Sequence, residues 1–160
     1  MKVIVYPRRK AKSTIISASV RFGSGTSAFK LPENSDVTYI PAGTAHFLEH
    51  LLFWDASGKS YMKLFNELNI NSNGMTGKEF TYYIAEIEES SEFSNTAKLL
   101  LDMILNAEFS EENFEIEKRV IIQEANEGQN SYNTLNCLVA KKAYGYHDEQ
   151  EMYKGYYDCY

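Results

Sequence analysis

All three prolines, Pro7, Pro32 and Pro41, lie in the first 41 residues. Nothing after them is barred from helix by a missing N–H or a ring clash. The chain therefore divides into a strand-and-loop front and a helix-rich remainder. Residues 2–6 and 14–22 are rich in β-branched side chains and partly alternate, which predicts two strands. Between Gly23 and Gly43 the glycines, prolines and polar residues predict a long connection, a feature uncommon in a small domain unless it has a task. Helical spacing of Phe47, Leu48, Leu51 and Leu52 predicts a helix over 44–54. A second short helix is expected at 60–68, with Ser60 as its N-cap.

Residues 71–76 and 79–87 predict a strand pair across a turn at Gly77-Lys78. In the second strand Thr81, Tyr83, Ala85 and Ile87 share one face, and Phe80, Tyr82 and Ile84 the other. A helix is expected over 91–107, with Leu99, Leu100, Met103 and Ile104 in one stripe. Another starts near Ser110, carries acids in its first turn as the helix dipole prefers, and runs to about Glu127. A last helix is expected at 133–144. The order strands, helices, strands, helices places the chain in the α+β class.

Length and composition set the outer bounds. With 160 residues, 44% hydrophobic and 24% charged, one soluble globular domain is expected. A net charge of −6 without a basic stripe argues against a nucleic-acid surface. No apolar run approaches the roughly 18–20 residues of a membrane span. Arg8, Arg9, Lys10 and Lys12 do not open the chain, and the stretch after them is too short and serine-rich for a signal peptide. Two cysteines, Cys137 and Cys159, make no disulfide framework, so a reducing, cytoplasmic location is expected. Neither cysteine has neighbours that suggest a nucleophile.

The segment that carries chemistry is His46-Phe47-Leu48-Glu49-His50. Residues four apart on a helix lie on one face, so both imidazoles can point at one ion. Zinc favours three protein ligands plus water in catalytic sites. Glu49 falls between the two histidines, where its carboxylate can take a proton from a water whose pKa the metal lowers toward about 7. This H-x-x-E-H order is the inverzincin signature. A second reading treats both histidines as satisfied core residues. Against it, two of the three histidines in the chain sit one turn apart with a glutamate between them, and burying three such groups without partners is costly.

A third ligand is needed. Glu117 and Glu124 lie two turns apart on one helix face, with Val120, Ile121 and Ile122 expected to anchor that helix in the core. Spacing alone leaves two readings of these acids standing: inward ligands, or part of a solvated face with Glu111, Glu112, Glu115 and Glu127. His147 is a further candidate ligand.

Four stretches give the chain a family likeness covering most of residues 15–145. They are Gly43 to Phe53 around the histidines; Asn73-Gly74-Met75-Thr76 followed by Glu79, Thr81 and Tyr83; Asn106 to Phe114; and Glu117-Lys118-Arg119-Val120-Ile121-Ile122-Gln123-Glu124. Together they resemble the N-terminal, zinc-binding domain of the pitrilysin/insulinase/mitochondrial processing peptidase family, and most of all its bacterial processing-protease-like members. The resemblance implies one Zn2+ ion held by His46, His50 and Glu124. It implies Glu49 as the base and Glu117 as an acid that stands behind the ligands and serves catalysis through them. Asn73, Gly74, Met75 and Thr76 match an edge strand that takes the substrate as an added strand. Gly74 and Met75 depart from the usual small-then-bulky pair.

The resemblance further implies a mostly antiparallel sheet with helices on one side. Residues 1–160 would form a single domain, half of a two-domain unit, as a fragment or a half that requires a partner. The expected function is a zinc-dependent endopeptidase acting on peptides or unfolded polypeptides together with a second homologous domain or subunit. A non-catalytic peptide-binding or scaffold subunit is the alternative, and a metal-binding module without peptide chemistry a third. The tyrosine-rich end, Tyr144 to Tyr160, suits an interface.

Overall fold

The computed structural model describes residues 2–8, 10–31, 36–88 and 90–127, with 135, 139 and 142 as isolated positions beyond. In chain order the elements are β1 (Thr14–Val20), β2 (Ala28–Phe29), β3 (Thr38–Tyr39), α1 (Thr44–Leu52), α2 (Tyr61–Glu67), β4 (Asn71–Thr76), β5 (Thr81–Ile87), α3 (Phe93–Leu105) and α4 (Glu111–Glu127). A single 3-10 turn at 90–92 leads into α3.

The main sheet has the order β1-β5-β4 and is antiparallel throughout. The register pairs Thr14 with Ile87 and Val20 with Thr81 on one side of β5, and Asn71 with Glu86 and Thr76 with Thr81 on the other. Of the two faces that alternation gives β5, the one carrying Thr81, Tyr83, Ala85 and Ile87 is buried and turns toward the helices. Leu100 and Met103 of α3 and Phe65 of α2 complete that core, with Leu99 and Ile104 packed at its margin. The fold is α+β, with helices over one sheet face. Ser60 caps α2 by accepting from the Lys63 N–H at 3.3 Å.

Two expectations need correction. Residues 2–6 are not a strand: Val3, Ile4, Val5 and Tyr6 are exposed. β-Branched composition supplies a preference, but a strand also needs a neighbour to pair with. The long connection between Gly23 and Gly43 carries structure of its own. It holds the short antiparallel pair β2–β3, and its start is pinned to the β4–β5 turn by Ser24 N–H to Gly77 O and Gly25 N–H to Lys78 O, both 2.9 Å. Gly23 packs there so closely that a Cβ would fall 2.5 Å from the Gly77 carbonyl oxygen. Finally, Val120 and Ile122 do not anchor α4; they are 36% and 55% exposed, because the helix turns Asn113 and Glu117 inward instead.

The helix expected at 133–144 falls almost wholly outside the described residues, although Leu135, Val139 and Lys142 are helical. Cys137, Cys159, His147 and the tyrosine-rich end lie outside them too. Among the described residues no helix is long and apolar enough to cross a membrane.

Candidate metal centre

α1 starts after Gly43, where the Thr44 hydroxyl donates to Pro41 O at 2.7 Å, and closes at Phe53, whose N–H reaches His50 O at 3.1 Å. Its apolar residues press it onto the sheet. His46 and His50, one turn apart, follow on the side that meets α4, with ring centroids 4.9 Å apart and nearly perpendicular. Glu124 arrives from α4. Its Oε2 lies 3.6 Å from His46 Nε2 and 3.7 Å from His50 Nε2.

These three groups offer ligand atoms within 4.8 Å of one another. The separations are too long for good hydrogen bonds. They are close to the roughly 3.4 Å expected between two ligand atoms that each sit about 2.1 Å from a tetrahedral ion. Two imidazoles and a carboxylate are also a donor set that zinc accepts. The residues present therefore fit a metal ion.

Behind the cluster, Glu117 is buried and both of its carboxylate oxygens are engaged. Its Oε2 accepts from His50 Nδ1 at 2.9 Å and its Oε1 from the Trp54 indole N–H at 2.8 Å. A carboxylate can only accept, so the proton of His50 resides on Nδ1. The Nε2 lone pair then faces Glu124 and His46.

Glu49 is buried beside the cluster against β4. Its Oε2 accepts from the Thr76 hydroxyl at 2.6 Å. Its Oε1 lies over Gly74, where a Cβ would come within 2.7 Å of that oxygen and 3.0 Å of the Phe53 ring. The Tyr83 phenol nearby is held well above its ordinary range, first by burial and then by the Glu49 charge. A cleft of about 290 Å³ opens at this point, lined by Glu49, His50, Phe53, Trp54, Met62 and Asn73 among others.

The structure thus brings His46, His50 and Glu124 together, with Glu49 and Glu117 on either side of them. The four positions of β4 divide by strand alternation. Gly74 and Thr76 face Glu49. Met75 is half-exposed on the opposite face, where its sulfur accepts from the Tyr82 hydroxyl at 2.8 Å, and Asn73 accepts from its neighbour Gly74 N–H at 3.0 Å. Among the described residues β4 is an edge strand. Sequence reasoning missed Trp54. Its position one turn after His50 was the available signal.

Residues 33–154 match the model of the insulinase family, peptidase family M16. The chain is 29% identical over 126 residues to the uncharacterized zinc protease YmfH of Bacillus subtilis, covering 79% of this chain and 29% of that protein. It is 32% identical over 110 residues to the uncharacterized zinc protease YmxG of the same organism, covering 66% and 26%. Among solved structures, an M16-like peptidase from Alicyclobacillus acidocaldarius superposes with a TM-score of 0.74 at 26% identity, covering 91% of this chain and 33% of that one. The chain spans a third or less of each of these proteins.

Proposed function

The chain belongs to the insulinase family, peptidase family M16, and on that premise we propose that it is the metal-binding domain of a zinc-dependent endopeptidase. The observation that carries this reading is the convergence of two imidazole nitrogens and a carboxylate oxygen from α1 and α4, with the buried Glu49 alongside. His46, His50 and Glu124 would hold one zinc ion. When bound, zinc supplies a Lewis acid that makes water a better nucleophile near neutral pH and polarises a carbonyl.

The residues of the chain do the rest. Thr76 takes one oxygen of Glu49 and so orients the other. Glu49 removes a proton from the attacking water and returns it to the leaving amine. Glu117 keeps the His50 ring in the tautomer whose Nε2 can ligate. The edge of β4 offers its main-chain groups to a peptide or unfolded polypeptide laid down as an extra strand, and Asn73 and Met75 bear on its side chains. Gly74 has its role one step back, making room for Glu49.

We assign residues 1–160 to one half of a two-domain unit that works with a second homologous domain or subunit. A cytoplasmic setting is proposed on cysteine content alone. A scaffold subunit would have no use for a complete ligand set with an oriented glutamate beside it, which favours the enzyme. Glu49→Gln tests the reading. Zinc content and the circular dichroism spectrum should be unchanged, while peptide cleavage in the assembled enzyme falls by about 10²–10⁴-fold. Activity that survives the substitution removes Glu49 as the base.

A further inference from the structure

Trp54 is the only tryptophan in the chain, and it stands where α1 has just ended. Its indole N–H donates to Glu117 Oε1 at 2.8 Å while His50 Nδ1 occupies Oε2 of the same carboxylate at 2.9 Å. His50 and Trp54 are four residues apart, so the Glu117 carboxylate from α4 spans one turn at the end of α1. We propose that Trp54 is a positioning residue for the metal centre: it locks the Glu117 carboxylate, and through it the His50 ring and the alignment of α4 that presents Glu124.

The physical argument rests on freedom of rotation. A glutamate side chain has several rotatable bonds, and holding it in one geometry carries an entropic cost. With one partner it can pivot about that single hydrogen bond. With both oxygens engaged it cannot. The interaction is charge-assisted and largely screened from water, since the Glu117 side chain is 11% exposed. Glu117 is also one of two residues that α4 buries, the other being Asn113, so the same carboxylate that orients His50 ties α4 to α1. Glu124 follows Glu117 by two turns on the same face. Any swing at Glu117 is passed on to the third ligand.

The inference rests on the metal reading above and concerns how well the site is formed before metal arrives. The test uses the full chain and zinc alone, with affinity read by competition against a chromophoric chelator, in four proteins: wild type, Trp54→Phe, Glu117→Gln and the double variant. Phenylalanine keeps an aromatic ring and removes the donor. Partners that stand behind metal ligands typically govern affinity by 10–100-fold. Acting through one such partner, Trp54→Phe should weaken zinc binding by about tenfold with an unchanged circular dichroism spectrum. The double variant should bind no more weakly than Glu117→Gln, because Trp54 acts through that carboxylate. Trp54→His, which retains a ring N–H, should recover part of the loss.

Equal affinity in wild type and Trp54→Phe overturns the proposal and leaves the metal reading intact. A loss that adds in full to that of Glu117→Gln also overturns it, since Trp54 would then act by packing. A wild-type chain that takes up no zinc overturns both readings. Should Trp54→Phe fail to fold, Trp54→His decides: affinity as low as that of Glu117→Gln, or additive with it, counts against the proposal.

Discussion

α1 and α4 bring the site together by different means. α1 buries Ala45 and Leu51 together with His46 and Glu49, and its seat on the sheet is apolar. α4 buries Asn113 and Glu117, while Val120 and Ile122 face outward. Its apolar contact with α1 includes Phe114 edge-on to Phe47, with centroids 4.9 Å apart, although Phe114 itself is 38% exposed. One helix is fixed by the core. The other is fixed in large part by the site. Burying a charged group is tolerable when both of its oxygens find donors, as those of Glu117 do. The placement of Glu124, the proposed third ligand, therefore depends on the polar contact that Glu117 makes with His50 and Trp54.

The largest effect should come from cutting into the apolar seat. Leu51→Ala leaves a cavity where the side chain is 2% exposed, and should cost about 2–5 kcal/mol in denaturant unfolding. Ile122→Ala, the apparent equivalent on α4, should stay within about 0.5 kcal/mol. Equal losses would erase the contrast between the helices. Zinc should act next, and mostly on α4. At a hundredfold excess over its dissociation constant it should raise stability by about 2.7 kcal/mol, with hydrogen-exchange protection gained along α4 more than along α1. Glu124→Ala should abolish that gain, and protection that rises equally in both helices would show that α4 was already fixed by the core. The smallest effect belongs to the helix starts. Ser110 accepts from the Asn113 N–H at 3.2 Å, so Ser110→Ala should cost about 1 kcal/mol. α1 has no side-chain cap to lose. No measurable change in Ser110→Ala would mean that the site contacts alone hold the start of α4.

The legibility of the chain follows the same division. α1, α2, β5 and α3 could be read because their apolar residues recur at the period of the element that buries them. Leu100 and Met103, read as one stripe of α3, are buried, and Tyr83, Ala85 and Ile87, read as one face of β5, are buried together. Residues 2–6 carried the strand composition but pair with no strand among the described residues. On α4 the run Val120, Ile121, Ile122 read as an anchor, because hydrophobicity is visible in a sequence and the other wall of a polar contact is not. Glu117 shows the limit most directly: its burial has a reason only once His50 and Trp54, more than sixty residues earlier, stand against it.

The sequence by itself determined the periodicities, and with them most of the helices and strands that form, and that two imidazoles and a glutamate share one turn of an apolar helix. These are local facts, set by 3.6- and 2-residue repeats and by turn chemistry. The tertiary structure alone decided which of several spaced acids meets those imidazoles, that Thr76 turns inward to Glu49 although its neighbour Met75 faces out, and that the Trp54 indole and the His50 ring share the Glu117 carboxylate. Those outcomes depend on how separate elements pack, and packing brings together residues whose distance along the chain carries no signal of their distance in space.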